Sequence, residues 1–467
     1  MSIKRLFRNA GVSLVALALQ CSHTPSFATS IIINGSLQFQ TMDGFGVNAN
    51  VASWSNGELR PALDMLADQL RATLWRVIID NADWEATNDD ADPTTFNWSY
   101  YNSVYTTAKF EALWSTLAYL NQKGISRGII LNFMGPVPAW MGGSGINAAS
   151  EDEWVEMIVS LVYYARVTRG LKFGMLAPMN EPDLDGIEGP QVSAVQYVRL
   201  LRKLSQRLDA LSFADLKLVG PDTAAISTGV GAYMPLMMAD SVVMARVDHF
   251  GFHSYAGDTG GADAAIRSSA YPTRNFWMTE VTNVWDALPE LGQNAAAYLI
   301  WDAYDSVYNH AILAGKGSHP PNDVGNGPPL LAYNSTSRTY TPRKAFYEHA
   351  QIFRFVDPGS RRIAATGSSS TLIVYAFRHP ATGRLTIVGR NSSGSSQTLD
   401  GTLVNLPSVS AFEFYQTTVS ANLERRPDVL ATNSSFVVTI APNSTFTLTT
   451  VGSDGLGAGT ADHAPAS

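Results

Sequence analysis

Between Gly44 and Arg354 short β-type runs alternate with amphipathic helical stretches, and this alternation constrains the fold more than any other feature. The runs that read as strands are Asp43–Val47, Thr73–Asp80, Arg127–Phe133, Lys172–Met179, Leu216–Gly220, Val247–Ser254, Phe276–Thr279 and Ala297–Asp302. Segments of helical period stand between or after them, at Leu59–Leu70, Ser103–Gln122, Asp152–Arg166, Val192–Leu208 and Arg343–Phe355. Such alternation implies a parallel sheet whose faces are covered by helices. Eight units over about 310 residues fit a (β/α)8 TIM barrel, for which about 250 residues is typical. The competing arrangement is a doubly wound open sheet. Its dinucleotide fingerprint is missing, because Gly44-Phe45-Gly46 lacks both the third glycine and a helix directly after it.

Beyond Asp357-Pro358-Gly359 the period changes to two. Thr371–Arg378, Arg384–Arg390, Ala411–Thr418, Ser435–Ile440 and Thr445–Thr450 alternate apolar and polar residues, with Gly, Asn, Pro and Ser between them. That pattern predicts an appended antiparallel β-sandwich side domain. Ile31–Gln40 also reads as a strand and is expected to join it. The expected organisation is therefore an N-terminal strand segment at 29–42, a barrel at 43–356, a β-sandwich at 357–451 and a disordered tail at 452–467.

Residues 1–28 read as an address. Lys4, Arg5 and Arg8 precede a short apolar run, Gly11–Leu19, and Ser26-Phe27-Ala28 forms a small-residue cleavage site. The run is too short to span a bilayer, which takes about 20 residues. A secreted or periplasmic protein follows, with lipidation at Cys21 as the alternative. Cleavage would remove three basic and no acidic residues, moving the net charge from −8 to −11, and would take the single cysteine with it. The acidic balance gives a nucleic-acid partner no electrostatic support. No membrane partner is expected after cleavage, and a monomer is expected.

In a TIM barrel the chemistry collects at the C-terminal ends of the strands. The fourth strand runs into Asn180-Glu181-Pro182, and the seventh runs through Trp277-Met278-Thr279-Glu280. Two carboxylates facing one pocket are what glycoside hydrolysis needs, one to protonate the leaving oxygen and one to attack the anomeric carbon. Solvated loop charges are the competing reading for each glutamate alone. His249 and His253 stand four apart on one strand and point the same way, but no third ligand accompanies them in sequence, so no metal site is expected.

These stretches resemble glycoside hydrolase family 30, in the clan A retaining glycosidases. Gln40-Thr41-Met42-Asp43-Gly44-Phe45-Gly46 is similar to the family's opening, and Pro138-Ala139-Trp140-Met141 to its motif after strand three. The stretch from Phe346 to Gly359 resembles its last barrel helix and the crossing into the side domain. The resemblance covers nearly the whole mature chain, in order. It implies a (β/α)8 retaining enzyme without cofactor or metal, with Glu181 as acid/base and Glu280 as nucleophile. It further implies Asn180 at the sugar 2-hydroxyl, Arg76 holding Glu280 ionised, and Tyr255 of His253-Ser254-Tyr255 hydrogen-bonded to Glu280.

Trp140, Trp301 and Trp84 lie at or just past strand ends, where a face could stack on a sugar; packing is the competing role for each. Trp277 reads as core. Asp80, Asn81 and Asp83 follow strand two and could bond hydroxyls. The loop from about Asn309 to Thr341 offers only Lys316, Arg338, His310 and His319 for the cationic contact by which the family's glucuronate-reading members hold an acid branch. The expected activity is hydrolysis of a β-linked polysaccharide or oligosaccharide of the xylan, β-1,6-glucan or β-1,6-galactan type. A carbohydrate-binding protein on the same fold and a metal-dependent hydrolase are the alternatives.

Overall fold

The computed structural model describes residues 28–81, 84–257, 260–305, 329–334 and 336–450. The secretory-signal and tail readings rest on residues outside these, as do Asp83 and most of the loop after strand eight. Eight strands pair in parallel and close on themselves: β2 (Gly44–Asn50), β3 (Leu74–Asp80), β4 (Ile129–Met134), β5 (Met175–Ala177), β6 (Lys217–Ala225), β7 (Val247–Ala256), β8 (Asn275–Val281) and β9 (Ala297–Ile300). The ring is completed where Gly44 to Val47 pair with Ala297 to Ile300. This is the TIM barrel that the alternation predicts. Two strand readings change in extent, since β5 is shorter than Lys172–Met179 and β6 runs on through Ala225.

The barrel strands are buried on both faces, which is why they read as apolar runs. On β3, Trp75, Val77 and Ile79 join the layer packed under the helices, whereas Leu74 faces the interior with Ile130, Met175, Val219, Trp277 and Leu299. Period two then puts Arg76 on the interior face, just above that apolar plug. The outer helices are amphipathic. Ala194–Ala210 buries Tyr197, Leu200, Leu201, Leu204 and Leu208, and Ser193 caps it by accepting from the Gln196 amide. Each such leucine contributes about 1.5–3 kcal/mol of burial. The single helix expected over Ser103–Gln122 is two, Trp98–Tyr105 and Ala108–Gln122. The Thr106 and Thr107 hydroxyls bond back to the carbonyls of Asn102 and Val104, competing with the helix ladder at the break.

A second set of nine strands forms the appended β domain: β1 (Thr29–Thr41), then β12 (Arg361–Thr366), β13 (Leu372–Arg378), β14 (Leu385–Asn391), β15 (Gln397–Val404), β16 (Ala411–Thr417), β17 (Glu424–Thr432), β18 (Ser435–Ile440) and β19 (Ser444–Thr450). A two-stranded hairpin, β10 (Leu331–Asn334) and β11 (Thr339–Pro342), precedes it in the chain. The N-terminal strand β1 pairs antiparallel with β12 and parallel with β15. Ile31, Ile33, Phe412, Phe436, Ile440 and Leu448 build its own core. Gln40 ties it to the barrel by donating to the carbonyls of Leu291 and Ala295. No helix among the described residues is long and apolar enough to cross a membrane.

Candidate active site

The fully buried Arg76 guanidinium organises the C-terminal mouth of the barrel. One terminal nitrogen donates to Glu280 Oε1 at 2.6 Å and to Asn48 Oδ1 at 2.8 Å. The other donates to Asn180 Oδ1 at 2.6 Å and to Asp222 Oδ2 at 3.1 Å. Burial lowers the arginine's affinity for its proton, but Asp222 and Glu280 more than offset this and hold the proton more firmly than usual. Four strands and the turn after β5 thus contribute to one fixed cation and its acceptors.

Glu280 reaches this mouth through an irregularity. On β8, Trp277 faces the barrel interior and Met278 the outer layer, so strict alternation would send Glu280 outward. The register instead shifts between Met278 and Val281 against β9, and between Phe252 and His253 against β7. A bulge of this kind re-aims a side chain. Glu280 is turned inward, where Tyr255 donates to its Oε2 at 2.7 Å. Burial pushes the Glu280 carboxyl up from its ordinary range and Glu181 adds like charge, against the pull of His253, Arg76 and Tyr255.

Glu181 stands just past β5 with a positive φ of 41°, a conformation that costs a non-glycine residue about 1–3 kcal/mol. Its amide donates to the Asp222 carbonyl at 2.9 Å, which holds that turn. Its Oε1 lies 2.7 Å from His253 Nδ1, and the same nitrogen lies 3.5 Å from Glu280 Oε2. Burial lowers the His253 pKa, which favours the neutral ring. One oxygen of Glu181, one of Glu280 and a nitrogen of His253 all lie within 4.8 Å of one another. A metal ion drawn to these three would meet the Arg76 guanidinium already bonded to Glu280. Asn180 is committed at both ends of its amide, accepting from Arg76 and donating to the Glu188 carbonyl at 3.1 Å, which leaves one N–H for a ligand.

The aromatic candidates separate. Trp140 is half-buried, with its indole N–H donating to the Glu85 carbonyl at 2.8 Å, and Trp301 is half-buried at the end of β9. Trp84 is a correction. It is buried to 1% exposure and packed against Phe110 and Phe133, so it offers no free face to a sugar. Trp277 is core, as expected, and its indole donates to Asp43 Oδ2 at 2.8 Å. Asn81 is buried and donates to the Gly135 carbonyl, and Asp80 is likewise buried at the end of β3, so neither stands in open loop.

Asp222, Asn48 and Thr279 were not singled out in the sequence. Thr279 donates to Asp222 Oδ1 at 2.7 Å, and Asn48 donates to the Thr279 and Ile300 carbonyls. Gly251 makes room for Asp222, since a Cβ there would sit 2.1 Å from Oδ1. Asn48 and Asp222 lie just past the strand ends read from the sequence, Val47 and Gly220, but inside β2 and β6.

This combination of closed parallel barrel and appended β domain is the fold of the family 30 glycoside hydrolases. A family 30 subfamily 8 xylanase from Clostridium acetobutylicum matches with a TM-score of 0.68 at 18% identity, over 90% of this chain and 99% of its own. A family 30 endoxylanase from Clostridium papyrosolvens matches at 0.67 and 17% identity, over 90% and 99%. An endo-β-1,6-glucanase matches at 0.64 and 15% identity, over 91% and 95%. No family model matches the sequence.

Proposed function

We propose that the chain is a secreted retaining β-glycoside hydrolase that cleaves a β-linked polysaccharide or oligosaccharide. The observation that carries this reading is the pair Glu181 and Glu280, with oxygens within 4.8 Å of each other at the barrel mouth. Retaining enzymes place the two carboxyl groups about 5–5.5 Å apart, whereas inversion needs about 6.5–9.5 Å to admit a water between them.

In the first step a Glu280 oxygen bonds to the anomeric carbon while the glycosidic C–O bond breaks and Glu181 gives its proton to the leaving oxygen. Arg76 and Tyr255 hold Glu280 ionised and aimed before the attack. Neutral His253, at 2.7 Å, accepts the hydrogen bond of the protonated Glu181 in the resting enzyme. In the second step the Glu181 carboxylate takes a proton from water, whose oxygen bonds to the anomeric carbon and releases Glu280. Asn180 directs its remaining N–H to the sugar 2-hydroxyl, and Trp140 and Trp301 flank the sugar.

The structural neighbours named as xylanases and as an endo-β-1,6-glucanase support xylan and β-1,6-glucan as first substrates; β-1,6-galactan is a further polymer to test. A hydrolysis panel across these polymers with product sizing tests the substrate class; release from none of them, with binding retained, would favour a carbohydrate-binding protein. Glu280→Ala tests the mechanism. Turnover should vanish and return with azide as a glycosyl azide of inverted configuration. Full activity in that variant would refute the assignment.

A further inference from the structure

We propose that Glu85, Asp89, Glu153 and Glu156 form a calcium site joining the loop after β3 to the helix after β4. Glu153 and Glu156 lie three residues apart on the helix Glu151–Tyr163 and so share one face. Glu85 and Asp89 come from the loop opposite. One oxygen each of Glu85, Asp89 and Glu153 lie within 4.8 Å of one another. Calcium binds oxygens at about 2.3–2.6 Å, so ligands on opposite sides of one ion stand about 4.8 Å apart. The three oxygens therefore fit a single shell.

A second observation is independent of that spacing. Glu156 is buried to 1% exposure, Glu85 to 0%, and neither oxygen of Glu156 nor Oε1 of Glu85 has a hydrogen-bond partner among the described residues. Both oxygens of Asp89 and Oε2 of Glu153 also lack a well-aligned hydrogen bond there, although the nearby N–H groups of Asp89, Asp90 and Asn97 favour the Asp89 carboxylate and the Asn88 side chain favours that of Glu153. Glu156 lies in the field of Asp89 and Glu153, and Glu85 in that of Asp89, Glu156 and Glu153. Unpaired buried carboxylates are costly, and their cost is removed by a cation at their centre. Arg207 acts on Glu156 only through space, because it donates to the Thr94 carbonyl and lies over the Phe96 ring. An all-oxygen set of flexible carboxylates suits calcium better than magnesium, which demands a near-ideal octahedron and keeps its waters. The ion would also fix Trp140, whose indole bonds the Glu85 carbonyl. This inference does not depend on the glycosidase reading.

The test uses the full chain after chelator treatment and dialysis. Terbium, a calcium substitute, should bind with luminescence excited through Tyr101, which contacts Glu85, and calcium should displace it. Equilibrium dialysis should give one calcium per chain, with a rise in melting temperature larger than magnesium produces. Asp89→Asn and Glu156→Gln should each weaken calcium binding at least about tenfold. If Glu156→Gln fails to fold, Asp89→Asn carries the test, because Asp89 is only partly buried. No saturable binding at millimolar calcium would overturn the proposal, leaving a cluster of protonated acids. Wild-type affinity in Asp89→Asn, or an equal shift with magnesium, would overturn it as well.

Discussion

His249 and His253 stand four residues apart on β7, on the same inward face, and the barrel uses them differently. His249, at the N-terminal end, stacks on Trp277 with ring centroids 3.8 Å apart and pairs with the Asn275 side chain. Its carboxylate neighbour, Asp43, accepts at one oxygen from the neutral donors of Asn275 and Trp277. His253, at the C-terminal end, faces two glutamates that share a pocket with a guanidinium. Similar residue types thus make a packed plug at one end and a set of charges at the other. The difference lies in what surrounds them. At the bottom the ring is covered by an indole; at the top, burial and like charge oppose Arg76 around Glu280.

Substitutions at the two ends of the barrel should differ in kind, with the largest effects at the top. Removing Glu280 as alanine should cost about four orders of magnitude or more in kcat, measured by product release. Arg76→Met should abolish activity and also destabilise the fold by about 3–5 kcal/mol in denaturant melts, because Asp222 and Glu280 would lose their buried partner. His253→Gln should lower kcat about 10²-fold or more with little change in melting temperature. Tyr255→Phe should lower kcat about 10- to 100-fold through loss of one hydrogen bond to a charged group. It should also shift the pH profile. The mechanism needs Glu280 ionised, so activity falls as pH drops through its pKa, which burial has raised. Losing a donor to the ionised form raises it further, and the acid limb of kcat should move to higher pH. His249→Gln should leave kcat within about twofold and cost about 1–3 kcal/mol of stability, from the lost stacking and hydrogen bond. A large fall in kcat for His249→Gln would erase the contrast between the two ends.

The barrel was legible because strands buried on both faces announce themselves as apolar runs, and because Glu181 and Glu280 stand at two of their ends. The bulge that turns Glu280 inward was not legible, since alternation from Trp277 points the other way. Nor could a sequence show that Phe110 and Phe133 cover Trp84. Asp222 was missed because the fifth strand reads as ending at Gly220. In the β domain, β12 opens on two arginines, β15 has Gly401 at a buried position and β17 carries Pro427 among mostly exposed residues, so none shows the apolar alternation of β13 and β16. Nothing in the sequence marks the acidic cluster at Glu85, because only the fold buries Glu85 and Glu156 and leaves Glu85 Oε1 and both Glu156 oxygens without partners.

Double displacement through Glu280 fixes the configuration of the first product, and that configuration tests the mechanism most directly. Proton NMR of a β-linked oligosaccharide, followed from the first seconds of hydrolysis, should show the β-anomer released first and the α-anomer growing in only by mutarotation. An α-anomer released first would mean that a water attacks directly, and would contradict the roles assigned to Glu181 and Glu280.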